Sequence, residues 1–216
     1  MSPPEQPPTF GPALPTPTLP SSSLPGFTVT CSTTIAAPPL LCLATVLDTA
    51  SWPSWNTFCP SATIDSAPPL ETVSLNAPEL EALARRPAHL YPGVEMTFSV
   101  HMTPNTPSPT LSAERVTILE HFTDPKGRTG YRVAWQYTTM PFMLIHAERV
   151  QEFVESRGPD GAVVTEFLNY ETFGGLLTPV MRWFKTGEIC DGFSRWMSSL
   201  KGAAEKAAKD GQVGTV

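Results

Sequence analysis

The feature that most constrains this chain is a run of alternating segments between residues 92 and 173. Val94, Met96, Phe98, Val100 and Met102 share one face of a period-two pattern, Val116, Ile118 and Phe122 a second, and Tyr131, Val133, Trp135 and Tyr137 a third. Period two is the side-chain repeat of an extended strand, whereas a helix repeats every ~3.6 residues. Turn-forming stretches divide the segments: 104–109, Asp124-Pro125-Lys126-Gly127, 139–142 and Gly158-Pro159-Asp160-Gly161. Parallel strands need crossovers longer than these turns, so the pattern predicts five consecutive strands paired as an antiparallel meander.

The flanking segments add the remaining elements. Residues 27–35 form a β-branched run that reads as an opening strand. Pro38 and Pro39 then stand where a helix begins, and Leu40, Leu41, Leu43, Ala44 and Leu47 give it one apolar side. Trp52 and Trp55 follow in a segment too short to be its own core, so they must pack on something larger. A strand is expected over 59–64, and a short helix over 78–86 with Pro78 at its first position. Gly174-Gly175 ends the meander as a strand-to-helix hinge. From 176 to about 210, Leu177, Val180, Met181, Phe184, Ile189, Phe193, Trp196, Met197 and Leu200 mark the apolar stripe of one long helix, with Gly187 and Gly192 as candidate kinks. The expected class is α+β: a curved antiparallel sheet of about seven strands wrapped on a long C-terminal helix, with two short helices after the first strand.

Composition limits what surrounds this body. Residues 1–26 hold nine prolines and a single charge, too little apolar surface to offset the entropy of ordering, so a disordered proline-rich tail is expected there, with a domain over 27–210 and a flexible end at 211–216. Such a tail is usually a spacer, with a proline-recognising protein partner as the functional alternative. The net charge of −6 and the lack of any Lys/Arg cluster exclude a nucleic-acid surface. No apolar stretch approaches the ~20 residues that span a bilayer, so stable membrane insertion is not expected. The N-terminus has neither a basic start with an apolar run nor an Arg-rich leader, which points to a cytoplasmic protein. Cys31, Cys42, Cys59 and Cys190 are scattered, without CxxC spacing, and read as buried thiols rather than bridges or ligands. No dinucleotide fingerprint, phosphate loop or nucleophile elbow is present, so neither a metal nor a nucleotide cofactor is expected.

One helix held against one curved sheet seldom fills the space between them, which leaves room for a small molecule. Strand parity and the helix stripe nominate the lining: Met96, Phe98 and Val100; Tyr131 and Trp135; Gln151 and Phe153; Phe167 and Phe173; Leu177, Val180 and Phe184; with Trp55 and Phe58 from the early segment. Large aromatic and Met side chains suit an apolar guest of irregular shape. The same side chains could equally fill a solid core, which is their usual role.

Three passages carry a resemblance to a known family. Trp52/Trp55-Asn56 after the opening strand, Glu148-Arg149-Val150-Gln151-Glu152-Phe153, and Glu171-Thr172-Phe173-Gly174-Gly175-Leu176-Leu177 are similar to the SRPBCC, or START-like, superfamily. That group includes START lipid-transfer domains, birch-pollen-allergen-like proteins, polyketide aromatase/cyclases and coenzyme Q-binding START-like proteins. The resemblance covers residues 27 to 200 and implies a helix-grip fold; within the group the chain is most like uncharacterised SRPBCC proteins of the polyketide cyclase/dehydratase-like or coenzyme Q-binding START-like kind. It names no substrate, because these proteins share a shape and differ in ligand.

Polar candidates complete the reading. Parity places Arg149, Gln151 and Phe153 on one face of a strand, and Thr165, Phe167, Asn169, Glu171 and Phe173 on one face of the next. An inward register brings Arg149 and Glu171 into the cavity mouth, whereas a one-residue slip puts both in water. Arg149, Glu171 and Asn169 are the candidate catalytic groups, with Tyr170 as a further proton donor. His89, His101, His121 and His146 lie in separate segments, with His101 and His121 on the solvent parity. The leading functional reading is a binder of an apolar small molecule such as a lipid, isoprenoid or polyketide. Its rival is a cyclase, dehydratase or isomerase of a polyketide-like intermediate in the same cavity. A protein-interaction module of the cochaperone-associated kind is a third reading.

Overall fold

The computed structural model describes residues 5–19, 26–104 and 108–213, and of Phe184, Gln212 and Val213 the backbone alone. All strands join one antiparallel sheet: β1 (Gln6–Pro12), β2 (Gly26–Ile35), β3 (Ser61–Ser66), β4 (Glu95–Val100), β5 (Thr110–Thr123), β6 (Thr129–Tyr137), β7 (His146–Arg157) and β8 (Val163–Gly174). Their spatial order is β1-β2-β8-β7-β6-β5-β4-β3. The helices are α1 (Pro39–Leu47), α2 (Pro78–Ala84) and α3 (Thr178–Val213), with short 3₁₀ turns at Thr49–Ser54 and Leu70–Thr72. The α+β class, the meander from β4 to β8 and the long terminal helix are as expected; the sheet has eight strands where about seven were anticipated.

The extra strand corrects the reading of the proline-rich tail. Gln6–Pro12 pairs with β2, and Pro7, Pro8 and Pro12 are tolerated because β1 is an edge strand whose outer N–H positions need no partner. Residues 13–19 then cross the outer sheet face. The Thr28 hydroxyl accepts from Leu14 N at 2.8 Å, and the Thr172 hydroxyl donates to Leu14 O at 2.9 Å. Glu148, fully buried, accepts from the Thr16 hydroxyl, from Thr18 N at 2.9 Å and from the Thr18 hydroxyl at 2.8 Å, while the Thr117 hydroxyl holds its other oxygen. The order that composition could not provide comes from these tertiary hydrogen bonds. The remainder of the tail expectation falls on residues 1–4 and 20–25, outside the described residues, as 214–216 of the C-terminal end also are.

The core lies between the inner sheet face and the helices. Helix α3 runs continuously through Gly187 and Gly192, and its buried stripe is Ile189, Phe193, Trp196, Met197, Leu200 and Ala204. It packs on β2, β1, β8 and α1, while α1 fills the space over β6, β7 and β8. Gly192 serves close approach: a Cβ there would overlap the Phe58 ring. The tryptophan segment packs as expected on something larger, with Trp52 edge-on to Trp196 at 5.3 Å between centroids and Trp55 edge-on to it at 5.8 Å. At the end of β8, Gly175 takes φ +106°, a conformation open to glycine, and turns the chain into α3.

Candidate functional site

The concave face divides into two zones along the strands. At one end, α1 and the tilted ring pair Phe153 and Phe167, 5.2 Å between centroids, make a closed core together with fully buried Met96. At the other end the strand termini splay around a cavity of about 380 Å³, within the ~300–1,000 Å³ usual for small-molecule sites. Its walls come from Phe98, Val100 and Met102 of β4 and the following loop, Thr110, Ser112 and Glu114 of β5, Trp135 and Tyr137 of β6, Ile145 just before β7, Ala147 and Arg149 of β7, and Glu171 and Phe173 of β8; Phe58 and the α3 residues Met181, Lys185, Ile189 and Phe193 complete them.

The floor between the zones is aromatic and polar. Trp196 stands edge-on to Trp52 and lies 6.0 Å from Trp135, which in turn is edge-on to Phe98 at 5.7 Å. Trp196 Nε1 donates to Gln151 Oε1 at 2.7 Å. Arg149 lies against this floor, its guanidinium 4.4 Å from the Phe193 ring centre and 4.7 Å from that of Trp196. Its Nε donates to Asn169 Oδ1 at 3.0 Å, and Asn169 Nδ2 is held by Cys31 Sγ at 3.6 Å. Nη2 of Arg149 is buried and has no hydrogen-bond partner among the described residues. One edge of the fork is thus anchored, and a donor is left over beside the cavity.

Two carboxyl groups share that space. The β7–β8 register sets Arg149 directly opposite Glu171, the inward register of the two that parity allowed, and both line the cavity. Burial pushes the Glu171 carboxyl up to about 7, against the lowering pull of Arg149. Burial, and after it the neighbouring Glu171, pushes Glu114 up to about 8, against the Ser112 hydroxyl and Arg149. Ser112 Oγ donates to Glu114 Oε1 at 2.7 Å. Burial draws Arg149 below its ordinary value, with Glu171 the main opposing influence. Glu114 shares the parity of inward-facing Val116; the irregularity between Val116 and Ile118 instead turns Ile118 and Phe122, expected on the face of Val116, to the other side, where Phe122 borders a groove on the outer face.

The other nominated residues divide by position. Phe58, Phe98, Val100, Trp135 and Phe173 line the cavity with Arg149 and Glu171. Asn169 and Gln151 lie behind it, as positioning partners of Arg149 and Trp196. Met96, Phe153 and Phe167 are in the closed core, and Trp55 packs on Trp196. Tyr131 is half-buried, donating its hydroxyl to Glu79 at 2.9 Å, away from the lining. Val180 is 53% exposed and Leu177 half-buried, so their inward placement is corrected: in the first turns of α3 Met181 packs half-buried against the core, and the fully buried stripe begins at Ile189. The side chain of Phe184 lies outside the described residues. Tyr170 borders a groove on the outer face, and burial raises its hydroxyl to about 12. His89 and His146 are buried and His101 and His121 half-buried, none of them lining the cavity.

The chain is 35% identical over 187 residues to oxopyrrolidines biosynthesis cluster protein O of Penicillium oxalicum, covering 82% of this chain and 86% of that one. It belongs to that protein's family. No protein-family model matches the chain. Among solved structures, the Zhui aromatase/cyclase of Streptomyces sp. R1128 superimposes with a TM-score of 0.52 at 12% identity, over 83% of this chain and 93% of that one. A hypothetical protein of Helicobacter pylori gives 0.51 at 11%, over 81% and 86%. At such identities the likeness establishes the fold alone. Within this cluster protein O relative, Cys31, Cys42 and Cys59 are buried free thiols, raised by burial to about 11, 12 and 12. Among the described residues no group of three His, Cys, Asp or Glu side chains is placed to hold a metal, and no helix is long and apolar enough to cross a membrane.

Proposed function

We propose that this protein is a cyclase, dehydratase or isomerase acting on a polyketide-like or oxopyrrolidine-type biosynthetic intermediate held in the cavity. One observation carries the reading: Glu114 and Glu171, carboxyls that burial pushes up to about 8 and 7, line the same apolar-walled cavity as Arg149, whose buried Nη2 has no hydrogen-bond partner among the described residues. Kinship with a biosynthesis cluster protein, and a helix-grip fold of the SRPBCC kind shared with an aromatase/cyclase, support it.

The chemistry follows from the protonation states. At neutral pH Glu171 is partly ionised and can take a proton from carbon next to a carbonyl, while Glu114 is largely protonated and can donate one. The electron pair released moves onto the carbonyl oxygen, and Arg149 Nη2 offers that oxyanion a charged donor in a water-poor site. The enolate carbon then bonds to a second carbonyl of the same molecule, whose oxygen takes the proton of Glu114. Glu171, now protonated, returns its proton to that hydroxyl, which leaves as water, while the Glu114 carboxylate takes the remaining proton of the attacking carbon; a conjugated ring results and both carboxyls regain their starting states. The aromatic walls fold the flexible chain so that its ends meet, which supplies much of the rate.

The second reading, passive binding of an apolar metabolite, draws on the same walls. One assay separates them: exchange of the α-proton of a β-keto amide probe in D₂O, followed by NMR. Catalysis of exchange by the wild type, reduced at least about a hundredfold in Glu171→Gln, supports the enzyme. Absence of catalysed exchange, with an apolar compound recovered from the purified protein by native mass spectrometry, supports the carrier.

A further inference from the structure

Five large apolar side chains stand out of the surface in two adjoining segments. Phe142 and Met143, in the loop from β6 to β7, are 51% and 74% exposed; Leu176, Val180 and Trp183, at the entry to α3, are 71%, 53% and 83% exposed. The segments are stitched together, Leu176 N donating to Met143 O and Leu177 N to Leu144 O, both at 3.0 Å. Val180 and Trp183, three residues apart, stand on one face of α3, and Leu176 immediately precedes its first turn. The next residues inward, Ile145 and Met181, line the cavity, so the patch borders its mouth. A contiguous exposed apolar surface of this kind marks an interaction site.

Charge indicates the occupant. Residues 138–147 and 174–187 contain no Asp or Glu, and they carry Arg182 and Lys185 in a chain whose net charge is −6. Arg182 is exposed and takes part in no ion pair among the described residues, and Lys185 is paired with Glu188 at the rim. Protruding Trp, Phe, Leu and Met side chains flanked by cations match a bilayer interface, where rings and aliphatic chains enter the acyl boundary and Arg or Lys reach the headgroups. A protein partner would need a matching concave surface, whereas lipid needs only these protruding side chains and the opposite charge.

We propose that the Phe142–Met143 loop and the first turns of α3 dock the protein on anionic lipid surfaces, with the mouth of the cavity facing the apolar phase. Docking of this type is peripheral and needs no membrane-spanning helix. It stands independently of the chemistry assigned to the cavity. The test is flotation of the full chain with vesicles of phosphatidylcholine alone and of phosphatidylcholine with about one third phosphatidylserine. The wild type should partition at least about tenfold more strongly onto the anionic vesicles. Met143→Ser with Trp183→Ser should lose about tenfold or more of that binding, and Arg182→Glu about fivefold or more on anionic vesicles alone. These side chains are exposed, and near-ultraviolet circular dichroism verifies that the fold persists. Failure of the wild type to float, unchanged binding by the folded variants, or a dimer that dissociates in Met143→Ser/Trp183→Ser while neither vesicle binds, would each overturn the proposal.

Discussion

Arg149 and Glu171 face each other as direct partners across β7 and β8, yet the guanidinium commits its Nε to Asn169 rather than to that carboxylate. A closed ion pair would have neutralised both groups. Here Glu171 stays raised by burial, and Arg149 keeps a donor unused.

That arrangement makes the planar fork of Arg149 essential. Lysine carries the charge and three donors on one compact nitrogen, but lacks the planar fork that fixes Nε on Asn169 while Nη2 stands at a separate point beside the cavity. Arg149→Lys is expected to reduce turnover about a hundred- to a thousandfold. Asn169→Ala, which only frees the fork, should cost less and act mainly on kcat. Steady-state kinetics on both variants check this; equal activity of Arg149→Lys and wild type would remove the arginine from the mechanism.

Stability should fall as pH rises from about 5 to about 8. Glu114 and Glu171 have folded values of about 8 and 7 against an ordinary 4.5, so in that window the folded state binds more protons than the unfolded chain. Unfolding free energy then decreases with pH, because its slope follows unfolded minus folded protons bound. The lowered carboxylates Glu79, Glu95 and Asp124 act below about pH 4.5 instead, where acid removes their contribution. Glu114→Gln should flatten the neutral-pH decline in urea melts recorded across this range. A slope unaffected by Glu114→Gln and Glu171→Gln together would refute the assignment.

Gly192 sets the position of one cavity wall. An added Cβ would overlap the Phe58 ring, whose neighbours include Arg195, 5.3 Å from its centre. Gly192→Ala should therefore displace Phe58 and weaken binding of an apolar probe severalfold, while unfolding free energy changes by about 1–3 kcal/mol. Fluorescence titration alongside a denaturant melt measures both. Wild-type probe affinity in the variant would mean that Phe58 does not shape the site.

The segment over the outer sheet face should contribute measurably to stability. Thr16 and Thr18 supply hydroxyl and amide donors to a carboxylate that has no access to water. Thr16→Val removes one donor and should cost about 1–3 kcal/mol, with Glu148→Gln restoring part of the loss because a neutral amide demands less. Chemical denaturation of the single and double variants gives the coupling. Additive effects would show that Thr16 and Glu148 do not interact in solution.

Much of this architecture could be read from residue patterns, because its elements are written in local periodicity. The alternation through Met96, Phe98 and Val100 and the stripe through Phe193, Trp196 and Leu200 are local signals, and the inward pairing of Arg149 with Glu171 follows from parity once the pairing register is known. The outward turn of Ile118 and Phe122 was hidden by the irregularity at Val116–Ile118, and β1 by a proline content that composition alone equates with disorder.

Period-two and helical spacing by themselves determined the class of the protein: an antiparallel meander closed by a terminal helix, with apolar side chains turned between them. Only the tertiary structure decided how that interior is shared. Parity tells which face a side chain occupies but not its height along the strand, and height separates Phe153 and Phe167, sealed under α1, from Trp135 and Phe173, left beside open space. Where α1 ends and Trp196 stands is set by packing between segments far apart in the chain, and that packing makes a cavity out of a core.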